Sequence, residues 1–375
     1  PYYATRSYFA SSDYMGLASG LTIAGIGNEK IQWERTRRIN IGVDANLLNN
    51  RLGVRFNYFR SATDHLLMWQ EMSYLSGLDK TWGNGGKLEN RGFDVEATGV
   101  VWASPSWQWQ VGASVGHYKN KVTALPDGQR YMDTEILGAT VRTEIGRPAN
   151  LFYGYKAQGV FSTSAEAQAA GLYIHDDNGV DRTAFEAGDM HFADLDGDHF
   201  ITEADRMVIG DPNPDIYGNI FTSVQYRRLR LDVRFNYSLG NDIYNYTRQQ
   251  LESGSRFMNQ TTALARRWQM EGQQTDIPRL SFQDPMGNSR FSDRWIEDGS
   301  YLRLKTVTLS YDLPVSSTFL QGLQFWVQAN NVVTLTRYLG SDPEGTALSA
   351  VLGQGIDAGS LPQSRNFMVG IKINL

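Results

Sequence analysis

Leu229-Arg230-Leu231-Asp232-Val233-Arg234-Phe235-Asn236-Tyr237-Ser238-Leu239 alternates apolar and polar residues without interruption. Successive side chains of a β-strand point to opposite faces, so this stretch has one apolar and one polar face, a period that a helix cannot produce. The same period recurs far away in the chain. Ile39, Ile41, Val43, Ala45 and Leu47 are separated by Asn40, Gly42, Asp44 and Asn46, and Leu52, Val54, Phe56 and Tyr58 by Gly53, Arg55 and Asn57. Further runs are Phe93-Val95-Ala97, Trp107-Trp109-Val111-Ala113-Val115, Leu323-Phe325-Val327-Ala329 and Phe367-Val369-Ile371-Ile373-Leu375.

Several of these strands are long. Residues 32–48, 51–70, 107–124 and 229–245 exceed the five or six residues usual in a globular sheet and suffice to cross a hydrocarbon layer, for which a tilted strand needs about 9–11. Their links alternate in length. Asn49-Asn50, Ser104-Pro105-Ser106, Arg227-Arg228 and the stretch from Pro314 to Gln321 are tight, whereas 71–87, 162–216, 246–294 and 337–362 are long and rich in Gly, Asp, Asn and Ser. Short turns on one side and long loops on the other characterise outer-membrane barrels. The alternation predicts a further strand over 136–145, turning at Arg147-Pro148 into another over 151–161, for about eleven strands, or about ten without that step. Eleven antiparallel strands leave two unpaired edges, which lipid does not tolerate. The predicted fold is therefore all-β, an antiparallel transmembrane β-barrel present as about half of a larger one. Residues 1–375 form one barrel part with no independent domain boundary, and a helix is expected in the loop within Arg248 to Met270.

Composition agrees. The chain has 375 residues, net charge −5, 12% aromatics, 37 Gly and mean hydropathy −0.40, with no apolar run of about 18 residues. That excludes a bundle of transmembrane helices and leaves a barrel open, because only alternate barrel residues face lipid. The acidic balance argues against a nucleic-acid partner. Without Cys there is no disulfide, thiolate metal site or thiol catalysis. The chain opens Pro1-Tyr2-Tyr3 with no Met, which suggests processing, truncation or a fragment.

One constellation carries metal chemistry. Asp194-Leu195-Asp196-Gly197-Asp198-His199-Phe200-Ile201-Thr202-Glu203-Ala204-Asp205 has the ligand spacing of a twelve-residue calcium loop. Asp194, Asp196 and Asp198 stand at positions one, three and five, the Phe200 carbonyl at seven, Thr202 or its water at nine, and Asp205 closes at twelve. Hard oxygen ligands in this order can wrap Ca²⁺, or Mg²⁺, and stiffen the loop. His199 replaces the usual Gly at six, and Asp205 the longer Glu. The bland alternative is an Asx-turn loop held by its own hydrogen bonds. The letters D-x-D-G also occur at aspartyl nucleophiles, but Asp189-Met190-His191-Phe192-Ala193 is not the buried apolar strand which that chemistry requires. His175-Asp176-Asp177 and His191 are expected to be loop residues, and no catalytic residue is nominated. Trp102, Trp107 and Trp109 are expected in an interfacial girdle, and Trp82 and Trp268 in loop packing.

Beyond periodicity, ordered motifs carry a resemblance. Gln32-Trp33-Glu34-Arg35-Thr36 leads to Leu47-Leu48-Asn49-Asn50-Arg51-Leu52. Phe152-Tyr153-Gly154-Tyr155 and Gly159-Val160-Phe161 follow, then Gly188-Asp189, the acidic loop and Ile209-Gly210-Asp211-Pro212-Asn213-Pro214. Asp298-Gly299-Ser300-Tyr301-Leu302-Arg303-Leu304-Lys305, Asn330-Asn331, Thr334-Leu335-Thr336 and Gly340-Ser341-Asp342-Pro343-Glu344 complete the series. With these, the sequence resembles the C-terminal barrel half of SusC-like (RagA-type) TonB-dependent outer-membrane transporters.

The resemblance implies a barrel of about 22 strands in the outer membrane of a Bacteroidota-like Gram-negative bacterium. It further implies a SusD-like surface lipoprotein as partner, TonB acting through an N-terminal plug not seen in this chain, and import of oligosaccharides or peptides. No substrate-binding residue follows from it, since such a vestibule is a surface spread over loops. The alternative is a secreted or surface β-sandwich that binds calcium and glycans. There the apolar strand faces would be buried between two sheets.

Overall fold

The computed structural model describes residues 4–14, 18–73, 75, 77–78, 80–175, 181–314, 321–345 and 351–374. Pro1-Tyr2-Tyr3, Asp176, Asp177, Leu375 and most of the expected turn after Pro314 lie outside them. The dominant element is a nine-stranded antiparallel sheet in which every strand pairs with the next one of this series in chain order. Its strands are β1 (Arg35–Leu47), β2 (Leu52–Glu71), β3 (Lys80–Ala103), β4 (Trp107–Ala124), β5 (Ile216–Tyr226), β6 (Leu229–Leu239), β7 (Tyr301–Leu313), β8 (Gly322–Thr336) and β9 (Asn366–Asn374). They form a wall whose two end strands do not pair with each other among the described residues.

Register keeps the apolar positions together on one face. Val233 of β6 lies beside Thr222 and Val307, Leu231 beside Val224 and Leu309, and Leu309 beside Val327, which pairs with Val369. This face is open: Ile39 is 63% exposed and Phe367 and Val369 are each 76% exposed. A sandwich would have buried these side chains between sheets, so that alternative fails. At the short-turn end the outward rows become aromatic, with Trp107 against Tyr226 at 4.5 Å and Trp102 paired beside Trp109, as expected for a girdle. At the other end Phe93 meets His117 at 5.6 Å. From Trp107 to His117, β4 advances ten residues, roughly 33 Å of strand and about 23 Å across a membrane at a tilt of about 45°. The apolar band of such barrels is about 25 Å tall.

Two expected wall strands are not in the wall. Residues 136–145 and 151–161 contribute instead to a separate four-stranded sheet, ordered Arg206–Gly210, Leu151–Tyr155, Ala139–Glu144, Tyr131–Ile136. The cause is visible in burial: Val141 and Phe152 are enclosed in a local core, whereas wall strands leave their apolar side chains open. β4 therefore pairs directly with β5, from Trp107↔Tyr226 to Gly116↔Tyr217, and the expected long connection 162–216 is part of a longer one beginning after Ala124. Losing two strands at once leaves every later strand direction unchanged. The wall among the described residues thus has nine strands, and the hairpin Tyr8–Tyr14 and Ala18–Gly25 forms its own two-stranded sheet.

Both buried cores lie in the long connections. One gathers Phe161, Leu172, Phe185, Phe192 and Ile201, and the other Val141, Phe152, Tyr244, Phe291, Trp295 and Ile356. Helix α1 (Ser164–Ala170) begins with a capping box in which the Thr163 hydroxyl accepts from the Glu166 amide, and it ends at Gly171 with φ 62°. The helix expected over 248–270 is shorter: α2 (Tyr246–Glu252) stops before Gly254, whose φ of 64° is left-handed, and Thr262–Arg266 follows as a 3₁₀ turn.

Candidate functional site

The inner face of the wall carries the polar half of the alternation. Arg55 donates to Asp44 at 2.9 Å and to Glu96 at 3.3 Å across three adjacent strands. Asn219 donates to Ser114 at 2.8 Å, and Asn330 to Asn366 at 2.7 Å. These side chains are largely solvated, so each ion pair contributes only a few tenths to about 1 kcal/mol. Their collective effect is a wettable surface opposite an apolar one.

Over the long-connection end, buried polar clasps pin the loops. Asp189 is fully buried and takes Arg279 through both carboxylate oxygens at 2.8 and 2.9 Å, with Asn288 donating at 2.9 Å. Arg303, 2% exposed, reaches from β7 to Asp342 and, at 2.6 Å, to Glu344. Burial pushes the Asp342 carboxyl up, but amide donors from Gln363 and Glu344 together with Arg303 outweigh it and hold the group below the usual carboxylate range. The Tyr338 hydroxyl donates to Asp357 at 2.6 Å. The segments 298–305 and 340–344, separate motifs in the sequence, thus meet through Arg303.

The acidic loop folds tightly. Oxygens of Asp194, Asp196 and Asp198 lie within 4.8 Å of one another. Asp194 accepts from the Gly197 and His199 amides at 2.8 and 3.0 Å, and Asp198 from Phe200 at 2.7 Å. The Asp198 amide hydrogen bond lowers the Asp196 carboxyl, yet partial desolvation and the charges of Asp198, Asp205 and Asp194 leave it raised. His199 adopts φ 67°, the conformation a calcium loop asks of its sixth residue. Asp205 stands apart from the cluster. It is fully buried and accepts from the Leu195 and Thr202 amides, both at 2.7 Å, closing the loop at its base. Phe200 stacks on His175 at 4.3 Å, and Ile201 packs into the loop core. The structure thus brings three of the four expected carboxylate ligands together.

Two of the remaining expected positions fall in loop packing. His191 stacks on Phe161 at 4.4 Å, and burial lowers its imidazole from the ordinary value. Trp268 donates to the Ser162 carbonyl at 3.1 Å. Trp82, expected in a loop, lies instead in wall strand β3, because β2 and β3 pair beyond the expected loop boundary; there it pairs with Trp69 of β2 and stacks on it at 4.0 Å. Met190–Phe192 is a short strand antiparallel to Ala157–Val160, which removes the aspartyl-nucleophile arrangement. Sequence reasoning missed the clasps, because Asp189 and Arg279 are 90 residues apart. Their only prior signal was membership of some partners in the ordered motifs.

Comparisons with known proteins agree with this geometry. Residues 2–135 match a family model described as "TonB dependent receptor-like, beta-barrel". The chain is 30% identical over 368 residues to TonB-dependent receptor P3 of Formosa agariphila, covering 95% of this chain and 35% of that protein. It is 25% identical over 369 residues to the TonB-dependent receptor SusC of Bacteroides thetaiotaomicron, covering 92% and 32%. The chain thus spans about a third of the length of these curated relatives. Among solved structures, the RagAB peptide transporter superposes with TM-score 0.77 at 25% identity, over 99% of this chain and 39% of that one.

Proposed function

We propose, for a chain that belongs to the SusC-like TonB-dependent receptors of the outer membrane and forms part of their β-barrel, that it walls a passage importing oligosaccharides or peptides. The observation that carries this reading is the two-faced wall. Its apolar side is open and as tall as a hydrocarbon layer, its other side is polar, and the clasped loops stand at one end. In this reading a SusD-like surface lipoprotein sits over the loops, and TonB supplies energy through parts of the receptor outside this chain. TonB-dependent receptors are a non-enzymatic family, and the loop carboxylates serve structure. The curated relative named SusC and the structural neighbour titled a peptide transporter support import without choosing between the two ligand classes.

The test is uptake by cells carrying or lacking the full-length receptor gene, with fluorescent oligosaccharides in one arm and fluorescent peptides in the other. Loss of accumulation of either class on deletion supports import. Unchanged accumulation of both overturns it.

We also propose that Asp194, Asp196 and Asp198 hold Ca²⁺ or Mg²⁺ as a loop fastener. Calcium is expected to slow proteolysis within 194–205 and EDTA to speed it. Asp196→Asn should abolish the difference, and cleavage indifferent to both additions would leave only the Asx-turn loop.

A further inference from the structure

The outward residues of four neighbouring strands end alike at the long-connection side. On β1 the series passes from Ile39 to Arg37, on β2 from Tyr58 to Arg60, on β3 from Phe93 to Arg91, and on β4 from His117 to Lys119 and Lys121. The registers are continuous here. Tyr58 pairs with Phe93 and Phe93 with His117, and one step further Arg60 pairs with Arg91 and Arg91 with Lys119. A row containing three aromatic rings thus adjoins a row of cations on the same face. On β5 to β8 the outward residues at this end are Ile216, Tyr237, Leu239, Leu302 and Leu335, so the charge is confined to one sector.

Arg37, Arg91, Lys119 and Lys121 are exposed and make no ion pair among the described residues. The carboxylate between them, Glu89, already pairs with Arg60 at 3.0 Å. Arg91, Lys119 and Lys121 also line a cavity of about 560 Å³ whose far side is Gly146, Pro148, Asp211, Asn213, Pro214 and Asp215. Of the acids there, Asp211 accepts from the Asn213 amide at 2.8 Å and its side chain at 2.7 Å, and Asp215 lies against Gly240.

We propose that this cationic rim binds the phosphate-bearing headgroups of anionic lipid in the external leaflet, an inference that rests on the outward face being lipid-facing. Depth and chemistry both favour such a ligand. The cations begin where the apolar band ends, the level at which headgroups lie, and interfacial aromatics stand directly beside them. Guanidinium grips phosphate bidentately and ammonium serves as a point charge. A transported solute would meet the opposite face, where Arg55, Asp94 and Glu96 alternate with these residues.

The test uses the full-length receptor in neutral-lipid nanodiscs, titrated with a diphosphorylated glycolipid and with its dephosphorylated form and read by native mass spectrometry. Wild type is expected to retain the phosphorylated lipid. Arg91→Gln/Lys119→Gln/Lys121→Gln should retain it about fivefold less per cation removed, on the order of a hundredfold in all. Lys119→Arg/Lys121→Arg should bind nearly as wild type. Heat-dependent gel mobility checks barrel assembly, and if the triple variant fails to assemble, Lys121→Gln alone carries the fivefold expectation. Equal retention by wild type and variant, or equal binding of the dephosphorylated lipid, overturns the proposal. Displacement by inorganic phosphate at the same concentration also overturns it, by showing a free-anion site. So does shielding of Lys119 and Lys121 from amine labelling by a surface lipoprotein in the absence of anionic lipid. A receptor that stays dissolved without detergent would instead overturn the membrane placement itself.

Discussion

Arg303 shows what a single side chain does at the rim. Buried with Asp342 and Glu344, it ties the connection following β8 to the start of β7. Breaking a buried pair strands the surviving charge and costs about 3–5 kcal/mol locally. Arg303→Ala is therefore expected to open residues 337–345 to hydrogen exchange while the wall stays protected. The folded Asp342 carboxyl is depressed, so its contribution is complete above the unfolded value of about 3.9. It is lost as pH falls through the lower folded value. Protection of this segment, after correction for the intrinsic pH dependence of amide exchange, should stay flat from pH 7 to 5 and fall only below about pH 4; a fall already at pH 6 would contradict the assignment. Asp189→Ala should free the segment containing Arg279 with similar magnitude, read by limited proteolysis, since Arg279 and Asn288 both lose a buried acceptor. At this scale the sequence was mostly opaque. Spacing alone brought Asp194, Asp196 and Asp198 together, because local loops encode their own geometry, but pairs 90 residues apart leave no local trace.

At the level of the strand, facing decides the effect of charge. Val233 points outward in the middle of β6, and Arg234 points inward. Val233→Lys is expected to cost about 2–4 kcal/mol near the bilayer midplane and to lower the folded fraction on a heat-modifiability gel. Arg234→Gln should leave that fraction unchanged. Equal effects would mean that the faces have been exchanged. Period two made β1, β2, β3, β4, β6, β8 and β9 legible, because each keeps an apolar stripe toward one medium. It failed over 136–161 for a physical reason. Val141, Leu151 and Phe152 are equally apolar, but they are buried by neighbouring loop segments, and periodicity does not say which surroundings an apolar side chain meets. Direction counting could not expose the error, since two extra strands cancel.

For the whole molecule, the wall has among the described residues two free margins, β1 and β9, each with a row of unpaired backbone groups. Lipid penalises such groups by several kcal/mol apiece. The 375-residue chain refolded alone in detergent is therefore expected to aggregate and to show no heat-dependent mobility shift, whereas the full-length receptor shows one. A monodisperse, heat-modifiable chain would mean that β1 and β9 close on each other.

The placement of both hydrophobic cores above the wall divides the molecule's loyalties. Shorter amphiphiles should melt the staves first while the crown of packed loops persists as an ordered body. Calorimetry across a series of detergent tail lengths should then resolve two transitions, one that tracks the tail and one indifferent to it.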